Sequence, residues 1–482
     1  MVFISVAVEA QYFSTRNDLE NNHQPETGFD VARGDTGYVV IEAAYGANSF
    51  LRVGEVFLNT QGVVTSSRSF GGDSLSFYPG RANCSDKTSD GGWVTFGSYS
   101  DIGGDSVQGV FWRFNSNGDS LWTLSMFPGS TVKYVGAMAK ALSDGRIMGC
   151  GAEYSGAGET GQFFLMQLDG NGDTLWTRSY GGPTRDECFS MDLCADGGFI
   201  LGGWTETNGG FNYDMRVMKT DSLGHLQWQR VLGGPYIDTW ANVVATSNGD
   251  FLVAGDLGVS QVNISAIEKL YAARLDTDGS VIWERTYGSG STQNQLNSVK
   301  ECSNGAFIAA GDYSNDVKGV LLKIAANGDS LWMRTYQHPP LVGQFTTHLL
   351  QDVVPEPDGG FSACGMLNDG QQDLWVIRVD SFGCLVPGCQ MYDHIAEQGV
   401  ELHVGLYPNP AHDRVYISFR SARDPSGEFV MYNSSGEAVR RFKSGGASEE
   451  IDLDISSQPV GLYLLRYEDK QGTRWESKFV KE

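Results

Sequence analysis

Apolar and polar residues alternate along this chain in short runs of strand length, and glycine, asparagine and aspartate interrupt the runs at close intervals. A clear example begins with the alternating run at 175–180, which is followed by a Gly-Gly-Pro turn. An apolar run at 199–205 follows an Asp-Gly-Gly turn, and a further run at 215–220 leads into the next turn. No stretch has the 3.6-residue period of an amphipathic helix. The pattern predicts an all-β protein whose units contain four short strands.

A tryptophan recurs at one position of this unit, four residues after a glycine. Successive copies are 49 to 56 residues apart, counting degenerate copies at Ser66 and Pro387 that keep the glycine and lose the aromatic ring. Four strands in a repeat of about 40–50 residues is typical of a β-propeller blade, which buries its apolar faces against its neighbours. We predict that the recurrent tryptophans pack between blades, with a ligand-binding aromatic row as the alternative. They are Trp122, Trp176, Trp228, Trp283 and Trp332.

The number of blades follows from the alignment of the turns. The turn at 35–37 aligns with the turn at 196–198, so that a first unit begins near Gln11. This predicts seven blades, with six or eight as alternatives if an end unit is incomplete or is completed by the other terminus. The segment 213–255 resembles the bacterial β-propeller repeat family in its Asp-x-x-Gly turn, its Trp and its following Gly-Gly turn, and the match recurs as far as Cys389. The resemblance implies a propeller fold and no fixed activity.

The first ten residues differ in character from the repeats. Residues 1–10 are largely apolar, have Glu9 as their one charged side chain and end in Val-Glu-Ala. They look like the end of a secretory signal peptide, in which small residues precede the cleavage site. The alternative is that they form the first strand. No other run of 18 apolar residues occurs, so no membrane-spanning segment is predicted.

The pattern changes again after Leu406, where the Trp repeat and the Gly-Gly turns stop. Alternating apolar positions in three runs predict a small antiparallel, Ig-like β-sandwich at 406–482. These positions are Val415, Ile417 and Phe419, then Val430 and Tyr432, then Leu462 and Leu464.

The same segment resembles the type A C-terminal sorting domain of the type IX secretion system of Bacteroidetes. The resemblance implies passage through the periplasm, export across the outer membrane by the translocon, and cleavage and attachment by its processing machinery at the cell surface. The alternative is a carbohydrate-binding or adhesive sandwich. The residues that carry the resemblance are Tyr407, Pro408, Asn409, Pro410, Ala411, the runs 431–433 and 435–437 with Gly436, Gly461, Leu462, Tyr463, Lys478, Phe479, Val480 and Lys481.

A segment of loop composition separates the two predicted domains. Residues 390–405 are therefore predicted to be a linker and processing region between a propeller at 11–389 and the sorting domain. Cys384 and Cys389 flank a Pro-Gly pair, and a disulfide could close this loop in an oxidising compartment.

The net charge of the chain and the motifs that it lacks exclude several classes of function. The net charge is −24, of which residues 401–482 contribute −2, so the acid excess lies in the predicted propeller. Nucleic acids and anionic membranes are bound through Lys and Arg, so we expect neither as a partner. The chain lacks HExxH, GxSxG, P-loop and paired Cys-x-x-Cys motifs. We predict no catalytic residue, metal or cofactor; the Asp of each Asp-x-x-Gly turn is expected to bond its own backbone, with calcium binding as the alternative.

Together these features predict a secreted, non-enzymatic β-propeller with a removable sorting domain. Its expected role is binding or scaffolding at the cell surface, with a glycan or protein ligand at the loops of one channel end. The alternative is a hydrolase or lyase for extracellular polysaccharide, in which acidic and aromatic residues of several blades meet at the channel.

Overall fold

The computed structural model describes most of the chain as two compact units, Met1–Val386 and Pro387–Glu482, which are treated separately below. The predicted signal-peptide residues 1–10 and most of the predicted linker lie outside the described residues. The described residues are 12–19, 25–34, 36–46, 50–72, 74–101, 107–127, 132–155, 160–182, 184–207, 212–262, 265–313, 317–338, 347–386, 389, 402–407, 411–421, 427–443, 448–468 and 474–481. They contain β-strands and no α-helix. In this part of the chain, no helix is long and apolar enough to cross a membrane.

A first strand, β1 (Phe13–Asn17), precedes the sheets of the first unit, which are numbered here in chain order. Sheet 1 consists of β2 (Glu26–Arg33), β3 (Gly37–Tyr45), β4 (Leu51–Asn59) and β5 (Val64–Phe70). Sheet 2 consists of β6 (Ser76–Tyr78), β7 (Ser85–Lys87), β8 (Trp93–Ser100), β9 (Val107–Phe114) and β10 (Ser120–Ser125). Sheet 3 consists of β11 (Lys133–Ala141), β12 (Ile147–Ser155), β13 (Thr160–Leu168) and β14 (Thr174–Tyr180).

Four further sheets follow in the same up-and-down order. Sheet 4 consists of β15 (Asp186–Leu193), β16 (Phe199–Thr207), β17 (Asn212–Thr220) and β18 (Leu226–Leu232). Sheet 5 consists of β19 (Asn242–Ala245), β20 (Phe251–Val262), β21 (Ser265–Leu275) and β22 (Val281–Ser291). Sheet 6 consists of β23 (Gln295–Glu301), β24 (Phe307–Tyr313), β25 (Lys318–Ile324) and β26 (Ser330–Tyr336). Sheet 7 contains β27 (Thr347–Pro355), β28 (Phe361–Asn368) and β29 (Gln372–Val379).

These sheets surround a common centre. The first strands of sheets 3 to 7 contact one another in succession, from β11 through β15, β19 and β23 to β27, and β2 of sheet 1 contacts β27 and β28 of sheet 7. The first and last sheets of the series therefore meet. Such a ring, with the first strand of each sheet innermost, is the architecture of a β-propeller.

The ring is closed by its N-terminal strand. β1 pairs antiparallel with β29 and becomes the fourth strand of sheet 7, with Phe13 opposite Arg378 and Asn17 opposite Leu374. An ion pair stabilises this pairing, since Arg16 Nη1 lies 2.7 Å from Asp369 Oδ2. The unit expected to begin near Gln11 therefore starts instead at β2, and β1 belongs to the last sheet.

Tryptophan–glycine contacts join neighbouring sheets at the repeat position. The Trp side chains of sheets 2 to 6 lie against the glycine of the Asp-x-x-Gly-type turn in the following sheet. A Cβ added at Gly224 would come 2.8 Å from Trp176 Cζ3, and one at Gly328 would come 2.9 Å from Trp283 Cδ2. These glycines have φ values of +77° and +90°, which a residue with a side chain rarely adopts.

The second unit contains two antiparallel sheets that share one core. One sheet is β30 (Leu402–Tyr407), β31 (Arg414–Ser421) and β34 (Ser448–Asp454), and the other is β33 (Ala438–Lys443), β32 (Glu428–Tyr432), β35 (Gly461–Glu468) and β36 (Arg474–Lys481). The core includes Val415, Ile417 and Leu453 from the first sheet and Phe429 and Phe479 from the second. β30 begins at Leu402, within the segment that was expected to be linker.

Candidate functional site

The described residues of the sorting motif meet at the last two strands of the tail. β35 and β36 pair so that Leu462 lies opposite Val480, and Gly461 lies opposite Lys481. Neighbouring residues of a strand point to opposite faces, and it is Tyr463 that is buried in the core while Leu462 is exposed. The alternation predicted for Leu462 and Leu464 therefore has the wrong phase: Tyr463, not Leu462, faces the core, because residues 462–465 are apolar on both faces.

This inverted phase leaves apolar side chains on the outside of the tail. Leu462 is 46% exposed, Val480 39% and Val460 75%. A shallow cavity of about 480 Å³ adjoins Leu462, and Lys478 and Tyr432 contribute to its lining. We call Leu462, Val480, Lys478 and Tyr432 the sorting face.

Of the other sorting residues, Gly436 lines the same cavity, Tyr407 lies on another strand, and several lie outside the described residues. Gly436 has a φ of +80° and ends a turn in which Asn433 Oδ1 accepts hydrogen bonds from the Ser435 and Glu437 backbone N–H groups at 3.1 and 3.0 Å. Tyr407 is the last residue of β30. Pro408, Asn409 and Pro410 lie outside the described residues.

On the propeller, an arginine lies between two aromatic rings beside the first strands of sheets 4 and 5, and burial lowers the pKa of its guanidinium. The Arg81 guanidinium is 5.0 Å from the ring centroid of Phe189 and 5.1 Å from that of Trp240. The rings belong to sheets 4 and 5, whereas Arg81 precedes β7 in sheet 2. Phe189 reaches this position because β15 bulges between Cys188 and Ser190. We call Arg81, Phe189 and Trp240 the arginine clamp.

A second arginine extends the arginine clamp. The Arg185 guanidinium lies 5.5 Å from the ring centroids of both Tyr154 and Trp204, and its Nη2 is 2.9 Å from Glu187 Oε1. The Tyr154 hydroxyl donates a hydrogen bond to the same Glu187 carboxylate. Burial, followed by the charge of Glu187, raises the pKa of the Tyr154 hydroxyl. These contacts therefore join cations and aromatic rings from sheets 2 to 5.

The backbone at Trp240 is strained. Its φ is +60°, a left-handed value that an aromatic residue rarely adopts and that costs about 1–3 kcal/mol. The surrounding structure holds it there, since the Asn242 side chain donates to the Trp240 carbonyl oxygen at 2.9 Å. Strained residues of this kind are concentrated at functional sites.

Sheets 5 and 6 carry several buried or half-buried carboxyl groups, one of which contacts the residue before Trp240. Asp256 accepts hydrogen bonds from the backbone and hydroxyl of Thr239, the residue before Trp240, at 3.2 and 3.1 Å. Burial raises the pKa of Glu268 to about 7, with repulsion from Asp312 adding to it, and burial raises the pKa of Asp312 to about 7. Burial also raises the pKa of Asp256. Burial therefore favours the protonated form of all three carboxyl groups.

The innermost strands carry charges of both signs. Lys140 Nζ lies 3.7 Å from Asp192 Oδ1, and Lys300 Nζ lies 3.8 Å from Asp352 Oδ1, each pair joining neighbouring sheets. Burial and then repulsion from Asp352 raise the pKa of Asp30 to about 7. Because these lysines and aspartates compensate one another's charge between neighbouring sheets, we assign them a structural role.

The described ranges contain no group of three or more His, Cys, Asp or Glu side chains that could hold a metal ion. The Asp-x-x-Gly turns use their carboxylates internally. Asp276 Oδ1, for example, accepts hydrogen bonds from the Asp278 and Ser280 backbone N–H groups at 3.0 and 2.8 Å. Such an oxygen acts as a turn cap.

The cysteines divide into one pair and a buried remainder. Cys384 and Cys389 are joined by a disulfide. The remaining six are free and buried in the propeller.

Comparison with known proteins identifies the tail. Residues 405–482 match the family model described as "Secretion system C-terminal sorting domain". The tail is a C-terminal sorting domain of the type IX secretion system, and the protein is exported by that system to the cell surface or the extracellular space. None of the curated proteins compared with the chain matches it.

Several solved structures are similar to the chain. The Pan2 WD40 domain of Neurospora crassa has 11% identity and a TM-score of 0.46, covering 77% of this chain and 96% of that one. The β-propeller domain of the Trilobed protease of Pyrococcus furiosus has 8% identity and a TM-score of 0.39, covering 75% and 98%. PorZ, a surface component of the type IX secretion system of Porphyromonas gingivalis, has 8% identity and a TM-score of 0.23, covering 95% and 99%. At these TM-scores the likenesses say nothing about function.

Proposed function

We propose that the seven sheets are the blades of a closed seven-bladed β-propeller, exported from a Bacteroidetes cell behind a signal peptide. The pairing of β1 with β29 supports the blade count, since it gives sheet 7 its fourth strand. The propeller spans residues 11–389, and an Ig-like sorting sandwich at 406–482 is joined to it by a linker at 390–405. The strand at Leu402–Tyr407 favours a slightly earlier start of the sandwich.

The tail binds the translocon through the sorting face. Exposed Leu462 and Val480 offer apolar area that a partner would bury, and Lys478 adds a positive charge beside them. Contiguous exposed apolar side chains rimmed by polar ones are typical of protein-binding surfaces. Processing of the exported chain then removes the sandwich within or near the linker.

The propeller itself acts as a binding module at the cell surface. The observation that carries this proposal is the arginine clamp, in which Arg81 is held between Phe189 and Trp240. Its guanidinium has five N–H donors, and flanking aromatic rings hold it in place and reduce the entropy lost on binding. The ligand is therefore a surface glycan or protein that presents a carboxylate to Arg81.

The test uses the full chain and a matched arginine. Arg81→Gln should weaken binding of uronate-containing oligosaccharides or acidic peptides at least tenfold in calorimetric titration. Arg178→Gln is the control, because Arg178 also lies over a tryptophan, 5.3 Å from the Trp176 ring, but on an outer strand. Equal binding by both variants and the unmodified protein would remove the arginine clamp as a ligand site.

The carboxyl groups of sheets 5 and 6 favour a second candidate, a polysaccharide hydrolase. A carboxyl group with a pKa near 7, such as that of Glu268, can donate a proton to a leaving group at neutral pH. A hydrolase would release reducing ends from an extracellular polysaccharide, and Glu268→Gln would stop the release. Binding without turnover by the unmodified protein would decide for the binding module.

A further inference from the structure

The junction between sheets 1 and 2 differs from the other junctions of the propeller. Sheet 1 has Ser66 where sheets 2 to 6 have the repeat tryptophan. Phe57 of the neighbouring strand β4 takes over the contact, because a Cβ at Gly118 would lie 2.9 Å from Phe57 Cζ. The smaller residue at position 66 leaves space beside this contact.

A cleft of about 870 Å³ occupies this space. The volume falls within the range of about 300–1,000 Å³ that is typical of ligand pockets. The cleft lies beside the turns 59–62 and 115–118, each of which connects the last two strands of its sheet. None of the arginine clamp residues lines the cleft. The cleft is therefore a separate site.

Polar groups of several kinds line the cleft. Hydroxyl and amide side chains come from both sheets, and Arg68 and Asp119 form an ion pair across the junction, with Nη1 and Oδ1 2.5 Å apart. Both members of this pair are partly exposed, at 40% and 58%. Phe57 and Trp93 contribute aromatic rings to the apolar part of the lining, together with Tyr38, Val39 and Leu58. The other polar lining residues include Thr36, Thr65, Ser66, Ser116 and Asn117.

A buried carboxyl group stands behind the lining. Glu55 is fully buried, faces Arg68 across the β4–β5 ladder, and neither of its carboxyl oxygens has a hydrogen-bond partner. Its Oε2 lies next to Gly118, at 2.6 Å from the position of an added Cβ. Buried polar groups are normally paired, so an unpaired carboxyl group marks a place where a ligand hydroxyl or a water would be bound.

We propose that this cleft binds a short neutral carbohydrate. A sugar ring presents hydroxyl groups that both donate and accept, which suits a lining with Arg68, Asp119 and hydroxyl side chains, and its C–H face suits the rings of Phe57 and Trp93. The Arg68–Asp119 pair is neutral as a unit, and Lys87, whose Nζ lies 5.9 Å from the Trp93 ring centroid, adds one positive charge to the lining. Glu55 offers a further partner to a hydroxyl group that enters deeply.

The test restores the sealed junction that the other sheets have. In sheet 4, the tryptophan of the repeat lies opposite a lysine, with Trp228 paired to Lys219. The double variant Phe57→Lys with Ser66→Trp copies this pair into the equivalent register of sheet 1. Ser67→Trp is the control, since Ser67 lies on the same strand, is exposed and does not line the cleft. Asp119→Asn is a second variant that removes a charge and little volume.

Binding of glucose, galactose, mannose and xylose di- and tetrasaccharides to the full chain is measured by calorimetry, and folding by thermal unfolding. We expect the unmodified protein and Ser67→Trp to bind one of these sugars with equal affinity. The double variant should bind it at least tenfold more weakly without a lower melting temperature. Asp119→Asn should bind it several-fold more weakly. No binding by the unmodified protein, or undiminished binding by the folded double variant and by Asp119→Asn, would overturn the proposal. Arg81→Gln should leave this binding unchanged, so failure of the arginine clamp and failure of the cleft are distinguishable.

Discussion

Trp228 in one sheet lies against Gly279 in the next, and a Cβ at Gly279 would come within 2.8 Å of Trp228 Cε3. The Trp228 indole also donates a hydrogen bond to the Thr277 carbonyl oxygen at 2.9 Å, in the same turn. Trp283 and Trp332 make the same bond to the turn of the sheet that follows them, at 3.0 and 3.2 Å. The repeat tryptophan of one sheet and the turn glycine of the next therefore form the contact that joins neighbouring sheets.

The cost of disturbing this contact can be separated from the cost of the turn itself. Gly279→Ala places a methyl group against Trp228, whereas the methyl group of Gly305→Ala points into open space. The two glycines have similar φ values, +78° and +75°. We expect Gly305→Ala to lower the free energy of unfolding by about 1–2 kcal/mol through the left-handed backbone alone. Gly279→Ala should cost at least ~1 kcal/mol more through overpacking. Urea unfolding of both variants is the measurement, and equal losses would show that the glycine is required only for the turn.

Closure of the ring depends on β1. Removing residues 1–17 deletes the strand that pairs with β29 and the Arg16–Asp369 ion pair, and it takes Phe13 away from Gly62 of sheet 1. We expect a lower melting temperature and proteolytic cleavage in sheet 7, because β29 becomes an exposed edge. Removing residues 1–10 alone is the control and should change neither. If both truncated chains melted at the same temperature, β1 would not be needed for closure.

The buried carboxyl group of Glu55 makes stability depend on pH. Burial raises its pKa in the folded protein to about 8 from the ordinary 4.5. Because the folded state holds the proton more tightly than the unfolded state, the contribution of Glu55 to stability is complete below about pH 4.5 and is lost as pH rises to about 8. Glu55→Gln removes the titrating group. Urea unfolding between pH 5 and 9 should show a smaller decline for the variant, and parallel curves would mean that Glu55 is already ionised in the folded protein.

The sorting face offers a test by charge insertion. Leu462→Asp places a carboxylate among apolar side chains that a partner must bury, so we expect less protein at the surface and more in the periplasm. His412→Asp makes the same addition at an exposed residue outside the sorting face and should be exported normally. The ratio of protease-accessible to total protein in intact cells measures the difference. Normal export of Leu462→Asp would exclude this face.

The periodic parts of the molecule were predictable because each unit carries its own strands and turns. The pairing of β1 with β29 joins residues far apart in sequence, Phe13 with Arg378, and no local pattern indicates it. The phase of β35 was predicted wrongly, since both faces of Leu462–Leu465 are apolar and only packing decides which is buried.

The arginine clamp was not predicted either. Trp204 and Trp240 lie outside the repeat position, and this departure from the repeat was the only signal in the sequence. Arg81 comes from a connecting segment two sheets away from Phe189, so the contact depends on the closed ring. Residues that depart from the repeat pattern thus indicate candidate sites. Ser66, which lines the cleft, is a second example.

Export by the tail is tested most directly by fractionating cells of the native organism that produce the full chain or a chain lacking Leu402–Glu482. The propeller has its own cores, so the shortened chain should fold, with the same melting temperature as the processed surface protein. We predict that the full chain reaches the surface and that the shortened chain remains folded in the periplasm. Surface exposure of the folded, shortened chain would contradict the sorting role of the tail.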